Sequence, residues 1–223
     1  MKSKFPDRRG RHSQERARLT HEHILEAAAK LFGEQGIEAT STNRIAAAAG
    51  IGVGTLYRHF PDKSSILDEL IERLISDVEA RFTESVLGVP RASDTVTMEG
   101  ISKVVAAMLR MFTDVLDDHR SLVKALVRDV RLERSGLMEL EPRLRVLNRL
   151  LLVQLLGSRD GQKLEVMTNI LVNTGTVTVL RVTAPDVGDI DRDKVIAMTA
   201  DMLGAWLSAE IANANDATDE SDQ

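Results

Sequence analysis

Apolar residues recur along most of this 223-residue chain at the three- and four-residue spacing of helices that bury one face. Ile24, Ala28, Leu31 and Phe32 fall at i, i+4, i+7 and i+8, with Thr20 placed to cap such a helix and Gly36 to stop it. A short helix is expected over 42–49, burying Ile45, Ala46 and Ala49 and ending at Gly50. Ile51 and Gly52 then turn into a third helix over 53–59, which ends at Phe60 because Pro61 disfavours a helical residue before it. Asp62 is placed to cap a fourth over 63–86, whose stripe is Ile66, Leu70, Leu74 and Val78, and Gly88 and Pro90 break it. Further helices are predicted over 99–118, 120–133, 142–156, 162–184 and 191–211. The Thr and Val alternation of 174–183 resembles a strand, but a lone strand has nothing to pair with, so the segment is assigned to a helix and the fold class is all-α.

The ends lack this periodicity. Residues 1–12 carry Lys2, Lys4, Arg8, Arg9 and Arg11, and 213–223 carry Asp216, Asp219, Glu220 and Asp222, which predicts disordered tails of opposite sign. The net charge of −5 argues at first against a nucleic-acid partner. Its distribution reverses the inference: 11 Lys and Arg face 7 Asp and Glu up to Lys63, against 18 and 27 beyond it. The first segment is therefore basic, and only the remainder is acidic. Four expected parts follow: a basic flexible arm over 1–19, a helix-turn-helix domain over 20–63, an all-helical domain over 64–212 and an acidic tail over 213–223. With no cysteine, a thiolate metal site, a cysteine nucleophile and a disulfide framework are excluded. No window of about 18 residues is free of charge and no signal-like apolar stretch opens the chain, so a cytoplasmic protein without a membrane partner is expected.

The stretch 40–63 carries the candidate chemistry. Two short helices joined at a glycine turn, packed on a longer first helix, make a helix-turn-helix unit whose second helix presents its N-terminal residues to base edges in the major groove. Side chains there must be small or able to hydrogen-bond, which suits Gly52, Val53, Gly54 and Thr55. Tyr57 and His59 can donate to phosphate oxygens from the edge of the same helix, and Lys63 adds charge beyond it. Taken alone, Tyr57 is an aromatic with its hydroxyl in water and His59 a half-buried polar residue.

Gly54-Thr-Leu-Tyr-Arg-His-Phe-Pro-Asp-Lys63, preceded by Ile24-Leu-Glu-Ala-Ala-Ala-Lys-Leu-Phe-Gly-Glu-Gln-Gly36, resembles the signature of the TetR family of transcriptional regulators over about 50 residues. The resemblance implies that Thr55, Tyr57, His59 and Lys63 contact phosphates or position the helix, and that Thr42, Asn43, Gly52 and Val53 lie near the bases. The chain departs from the family pattern in having Gly52 where a serine is common, an apolar Val53, and Thr42 where an aliphatic residue is frequent. A valine can touch a thymine methyl but cannot bond a guanine.

The implied function is a ligand-responsive regulator, in the first instance a repressor, that binds a palindromic double-stranded DNA operator as a homodimer. An activator with the same contacts and a helical small-molecule binding protein that does not read DNA are the alternatives. Leu171, Val177 and Leu180 on the penultimate helix and Met198, Met202, Trp206 and Leu207 on the last are candidates for the dimer interface. Met108, Met111 and Phe112, with the neutral amides Asn148, Gln154, Asn169 and Asn173, are candidates for lining a site for a largely apolar effector. Enzymatic readings find little support. Gly50-Ile-Gly-Val-Gly54 follows a helix rather than a strand, no glycine precedes a lysine, and no Gly-x-Ser-x-Gly elbow is present. His21 and His23 point apart on a helix, so no metal and no cofactor is expected.

Overall fold

Nine helices follow one another among the described residues of the computed structural model, which are 8–86, 89, 97–128, 137–156, 161–183 and 191–219. They are α1 (Arg8–Gln35), α2 (Thr42–Ala48), α3 (Val53–His59), α4 (Lys63–Val86), α5 (Met98–Asp118), α6 (Arg120–Arg128), α7 (Leu137–Leu156), α8 (Gly161–Thr183) and α9 (Arg192–Asp219). The fold class is all-α.

Local chemistry sets most boundaries. Gly36 ends α1 at φ +90°, a conformation open to glycine, and its amide reaches back to the Phe32 carbonyl at 2.9 Å. Asp62 caps α4 by accepting from the Ser65 amide at 2.8 Å, while the Ser65 hydroxyl donates to the Asp62 carbonyl. Thr97 caps α5 through the Gly100 amide at 3.1 Å. The Thr- and Val-rich part of α8 is helical throughout. Thr183 donates its hydroxyl to the Val179 carbonyl at 2.8 Å, which gives a buried threonine a partner inside the helix.

Three boundaries differ from the pattern-based expectation. The first helix begins at Arg8 rather than at Thr20, whose hydroxyl bonds the Arg16 carbonyl one turn back at 2.9 Å; Thr20 is a mid-helix residue and not a cap. Residues 8–12, expected without structure, are helical; they continue a helix whose following turns hold the good helix formers Gln14, Glu15, Arg16, Ala17, Arg18 and Leu19. The last helix likewise runs to Asp219 and takes in most of the expected acidic tail. Pro142 lies inside α7 rather than at its start; it leaves the carbonyl four residues back without its helical donor. The remainder of the two expected tails, 1–7 and 220–223, and the end of the sixth predicted helix, 129–133, lie outside the described residues.

Packing divides the chain differently from charge. One compact unit runs to Arg73 and takes in the segment from Arg120, so α6 joins α1–α3 and the start of α4. Ile24, Ala28, Phe32, Ile45, Leu56, Phe60 and Ile66 are buried in it, each contributing up to about 1.5–3 kcal/mol from water exclusion, alanine less. Helix α6 crosses α1 closely at Gly33, where a Cβ would stand 2.7 Å from the Ser121 carbonyl oxygen. The other unit holds the rest of α4, α5 and α7–α9, around Phe82, Ile101, Val105, Leu152, Leu155, Ile196, Leu203 and Leu207. Its tightest crossing is α5 on α9, at Ser102 and Gly204. Residues 192–213 of α9 are long and apolar enough by length and composition to cross a membrane. Ile196, Ala200, Leu203 and Leu207 of that stretch are buried in the core, whereas Met198 and Met202 are exposed.

Candidate nucleic-acid interface

The turn between α2 and α3 is built from a few backbone bonds. Ser41 caps α2 by accepting from the Arg44 amide at 3.4 Å. Gly50 takes φ +69° past the end of α2, and the Ile51 amide returns to the Ala46 carbonyl at 2.9 Å. Gly52, extended at φ −72° and ψ 145°, caps α3 without a side chain. Ile45 and Ala46 from α2 and Leu56 from α3 are wholly buried and lock the two helices together. Gly52, Val53 and Gly54 are left exposed at the start of α3.

Around that exposed start stands a set of polar groups. The Tyr57 and Thr42 hydroxyls are 3.0 Å apart and tie the edge of α3 to the first residue of α2. The Tyr57 ring is half exposed. Thr55 is half-buried and accepts from the Arg58 guanidinium at 3.0 Å. Asn43 is exposed. Lys63 donates from Nζ to the Ile37 carbonyl at 2.7 Å and to that of Glu38 at 3.4 Å, clasping the turn between α1 and α2. An ammonium has three donors, so one remains for an outside acceptor. His59 is half-buried with its ring 5.7 Å from that of His21. Burial, and then the neighbouring His21 and Arg58, push its pKa below the ordinary histidine value, so at neutral pH it offers one N–H and no charge. Sequence reasoning passed over two exposed guanidiniums on these helices, Arg44 and Arg58. Their positions beside the turn were the available signal.

Behind this surface α1 is anchored to α4. His21 Nε2 meets Glu69 Oε1 at 2.7 Å and its ring stacks on Phe60 at 4.6 Å, whereas His23, two residues on, is exposed. Arg73 bridges Glu22 at 2.5 and 3.0 Å and Glu69 at 2.9 Å. The Arg73 hydrogen bonds hold the Glu22 carboxyl below its usual range. For Glu69 burial acts upward but is outweighed by the bonds from His21 and Arg73. Both carboxyls are depressed, so their contribution is present above the ordinary carboxylate range and is lost as pH falls through their folded values. Depression of His59 acts in the same direction below about pH 6.5. Arg73→Met is therefore expected to cost about 1 kcal/mol at neutral pH, these groups being about a third exposed, and to flatten the loss of stability below pH 5. Thermal unfolding between pH 3 and 8 checks this; parallel curves for the two proteins would contradict it.

The expected effector-lining residues fall in the second unit. Met108 is buried and Met111 and Phe112 half-buried against the core, with the Phe112 ring 6.1 Å from Phe82. Three of the four amides bond the chain itself: Asn148 donates to the Leu144 carbonyl, Gln154 to those of Val86 and Val89, and Asn169 to that of Glu165 while accepting from Arg145. Asn173 is exposed. Of the residues expected at a dimer interface, Val177 and Met202 are exposed, as is Met198. Leu171 and Leu207 are instead buried, and Trp206 packs against the core, because the core-facing stripes of α8 and α9 consume them. Leu180 is half-buried. Val166 and Ile170 complete the open apolar stripe of α8.

Comparison with known proteins places this geometry. Residues 24–70 match the model of bacterial regulatory proteins of the tetR family. An HTH-type transcriptional regulator of Staphylococcus aureus strain USA300 is 53% identical over 57 residues, and that of strain NCTC 8325 matches to the same extent. The match covers 26% of this chain and 31% of either relative, so the chain aligns with about a third of their length. Solved structures agree over more of the chain. A putative TetR-family regulator from Syntrophomonas wolfei superposes with a TM-score of 0.66 over 85% of this chain and 95% of its own, at 18% identity. A TerR/AcrR-family regulator from Aquifex aeolicus gives 0.63 over 83% and 98%, at 21% identity. At such identities the likeness concerns the fold. Residues 24–70 thus carry the sequence pattern of the DNA-binding helices of the tetR family of bacterial regulatory proteins, and the chain as a whole shares the helical fold of solved TetR-family regulators.

Proposed function

We propose that the chain is a ligand-responsive transcriptional repressor that binds a palindromic operator as a homodimer and leaves it when a small molecule binds the second unit. The observation that carries the DNA-reading part is the small, open N-terminal face of α3, bordered by the Thr42 and Tyr57 hydroxyls. Val53 touches base edges with Gly52, Thr42 and Asn43 nearby. Thr55, Tyr57, His59 and Lys63 hold the backbone, Lys63 through the donor left over from the turn.

The second unit supports dimerisation through Val166, Ile170 and Val177 on α8 and Met198 and Met202 on α9, large apolar side chains left open to water. A largely apolar effector would act in this unit, and α4, one helix from Lys63 to Val86, continues from it into the DNA-binding unit. As a DNA-binding regulator the protein would work in the cytoplasm, with no catalytic residue and no membrane partner.

Gel shift against duplexes selected from a randomised library tests this reading. Salt-sensitive binding of two protomers to a palindrome is expected, and no binding to any selected duplex would refute it. Within that assay Lys63→Ala should weaken all sequences alike and flatten the salt dependence by about one unit, whereas Val53→Ala should change base preference. Uniform effects from both would overturn this division of labour.

A further inference from the structure

The first turns of α1 stand apart from the rest of the unit. Residues 12–19 are all exposed, and the first attachments of α1 to its neighbours fall at His21 and Glu22. From Arg8 to Leu19 the helix rises about 18 Å at 1.5 Å per residue. This extension carries Arg8, Arg9, Arg11, Arg16 and Arg18 against the single carboxylate Glu15, which is paired with Arg18 at 2.8 Å. By sequence the extension carries a net excess of four positive charges. Their placement runs against the interest of the helix itself. The N-terminus of a helix is positive and is stabilised by acidic residues, yet the first turn of α1 has none and is rich in arginine. Such a pattern is relieved by an external polyanion.

The extension also leaves the unit in a defined place. At His21 the helix passes the C-terminal end of α3, with ring contacts to His59 at 5.7 Å and to Phe60 at 4.6 Å. The arm thus ends within two residues of a contact with the C-terminal end of the helix proposed to read the half-site.

We propose that residues 8–19 form a helical basic arm that docks on the phosphates of duplex DNA flanking the half-site. The partner is DNA by charge complementarity, and the contact is independent of sequence because it presents guanidiniums to phosphates. Being helical rather than extended, the arm keeps its charges at fixed separations and lengthens the footprint without adding base readout. This rests on the DNA-binding reading above, and the experiment separates the two.

The full-length protein is compared with an R8Q/R9Q/R11Q/R16Q variant, which changes only residues outside the unit's attachments. The probe is a duplex recovered by the parent protein from a randomised library, either trimmed to the selected site or extended with arbitrary flanks. Affinities are read by fluorescence anisotropy across 50–200 mM salt. The variant is expected to bind the extended duplex about 10-fold or more weakly, with a salt slope lower by about two units per protomer, and to match the parent on the trimmed one. An Ala17→Pro variant, which keeps every charge but breaks the helix, is expected to lose part of the same gain. Equal affinities and slopes for the parent and the quadruple variant on both duplexes would overturn the arm while leaving the regulator reading intact. Equal losses on both would also overturn it, showing a general field rather than flank contact. Failure of the parent protein to recover any duplex would sink the DNA-binding reading itself.

Discussion

A Gly204→Ala protein is expected to be less stable than the parent by about 3 kcal/mol, and to melt about 6–12 °C lower. In most helices the sign would be opposite, since alanine favours a helix over glycine by up to about 1 kcal/mol. Here a Cβ would lie 2.2 Å from the Ser102 hydroxyl and 2.9 Å from both the Cα and the amide nitrogen of the same residue. A side chain can rotate away, but the α5 backbone cannot without moving the helix from α9 and loosening Ile101, Val105, Leu203 and Leu207. Ser102→Ala should therefore fail to rescue the variant. Gly175→Ala, whose Cβ would meet only the Leu109 side chain at 3.8 Å, supplies the control and should be neutral or stabilising. Denaturant melts of the three proteins decide the matter: a Gly204→Ala midpoint equal to the parent's would mean that the two helices pack further apart than described.

A Gly54→Glu protein should give the reverse combination, with stability unchanged or slightly raised and affinity for a selected duplex reduced 100-fold or more. Nothing lies within 4 Å of a Cβ at Gly54, its φ is not positive, and glutamate is the better helix former. On the proposed DNA-reading arrangement, a carboxylate at the exposed start of α3 would face phosphates and base edges, where like charge costs several kcal/mol. Circular dichroism melts together with anisotropy titrations test both halves. Retained affinity in the folded variant would show that this end of α3 does not approach DNA. Gly204 and Gly54 thus differ in what forbids a side chain: another part of the chain in one case, the proposed partner in the other.

The helices that frame the candidate interface were legible because their signals are local. Gly36, Gly50, Gly52, Pro61 and Asp62 each act within a few residues of the boundary they set, and α3 and α4 fall where those residues place them. What the pattern missed depends on the absence of burial or on distance along the chain. Residues 8–19 and the end of α9 have no apolar stripe to announce a helix, and they extend helices already nucleated by their buried turns, since adding a residue to a formed helix costs far less than starting one. Of the candidate site, the residue types around the turn were readable, but the clasp of Lys63 on Ile37 and the pairing of Thr42 with Tyr57 were not, since they join positions 26 and 15 residues apart. Amphipathic spacing identified α8 and α9 as helices with apolar faces. It could not say which apolar residues the core would take, so Leu171 and Leu207 were grouped with Val177 and Met202.

The docking of α6 on α1 makes the DNA-binding unit discontinuous along the chain. A nascent polypeptide that has emerged only through α4 has its helix-turn-helix but lacks the cover that Ser121 and the buried Leu122, Val123, Ala125 and Leu126 supply beside Gly33. The unit closes only after the whole of α5, a helix of the other unit, has been synthesised. Co-translational maturation of the two units is therefore interleaved, and an N-terminal fragment ending at residue 73 would leave the ribosome with an apolar face of α1 uncovered.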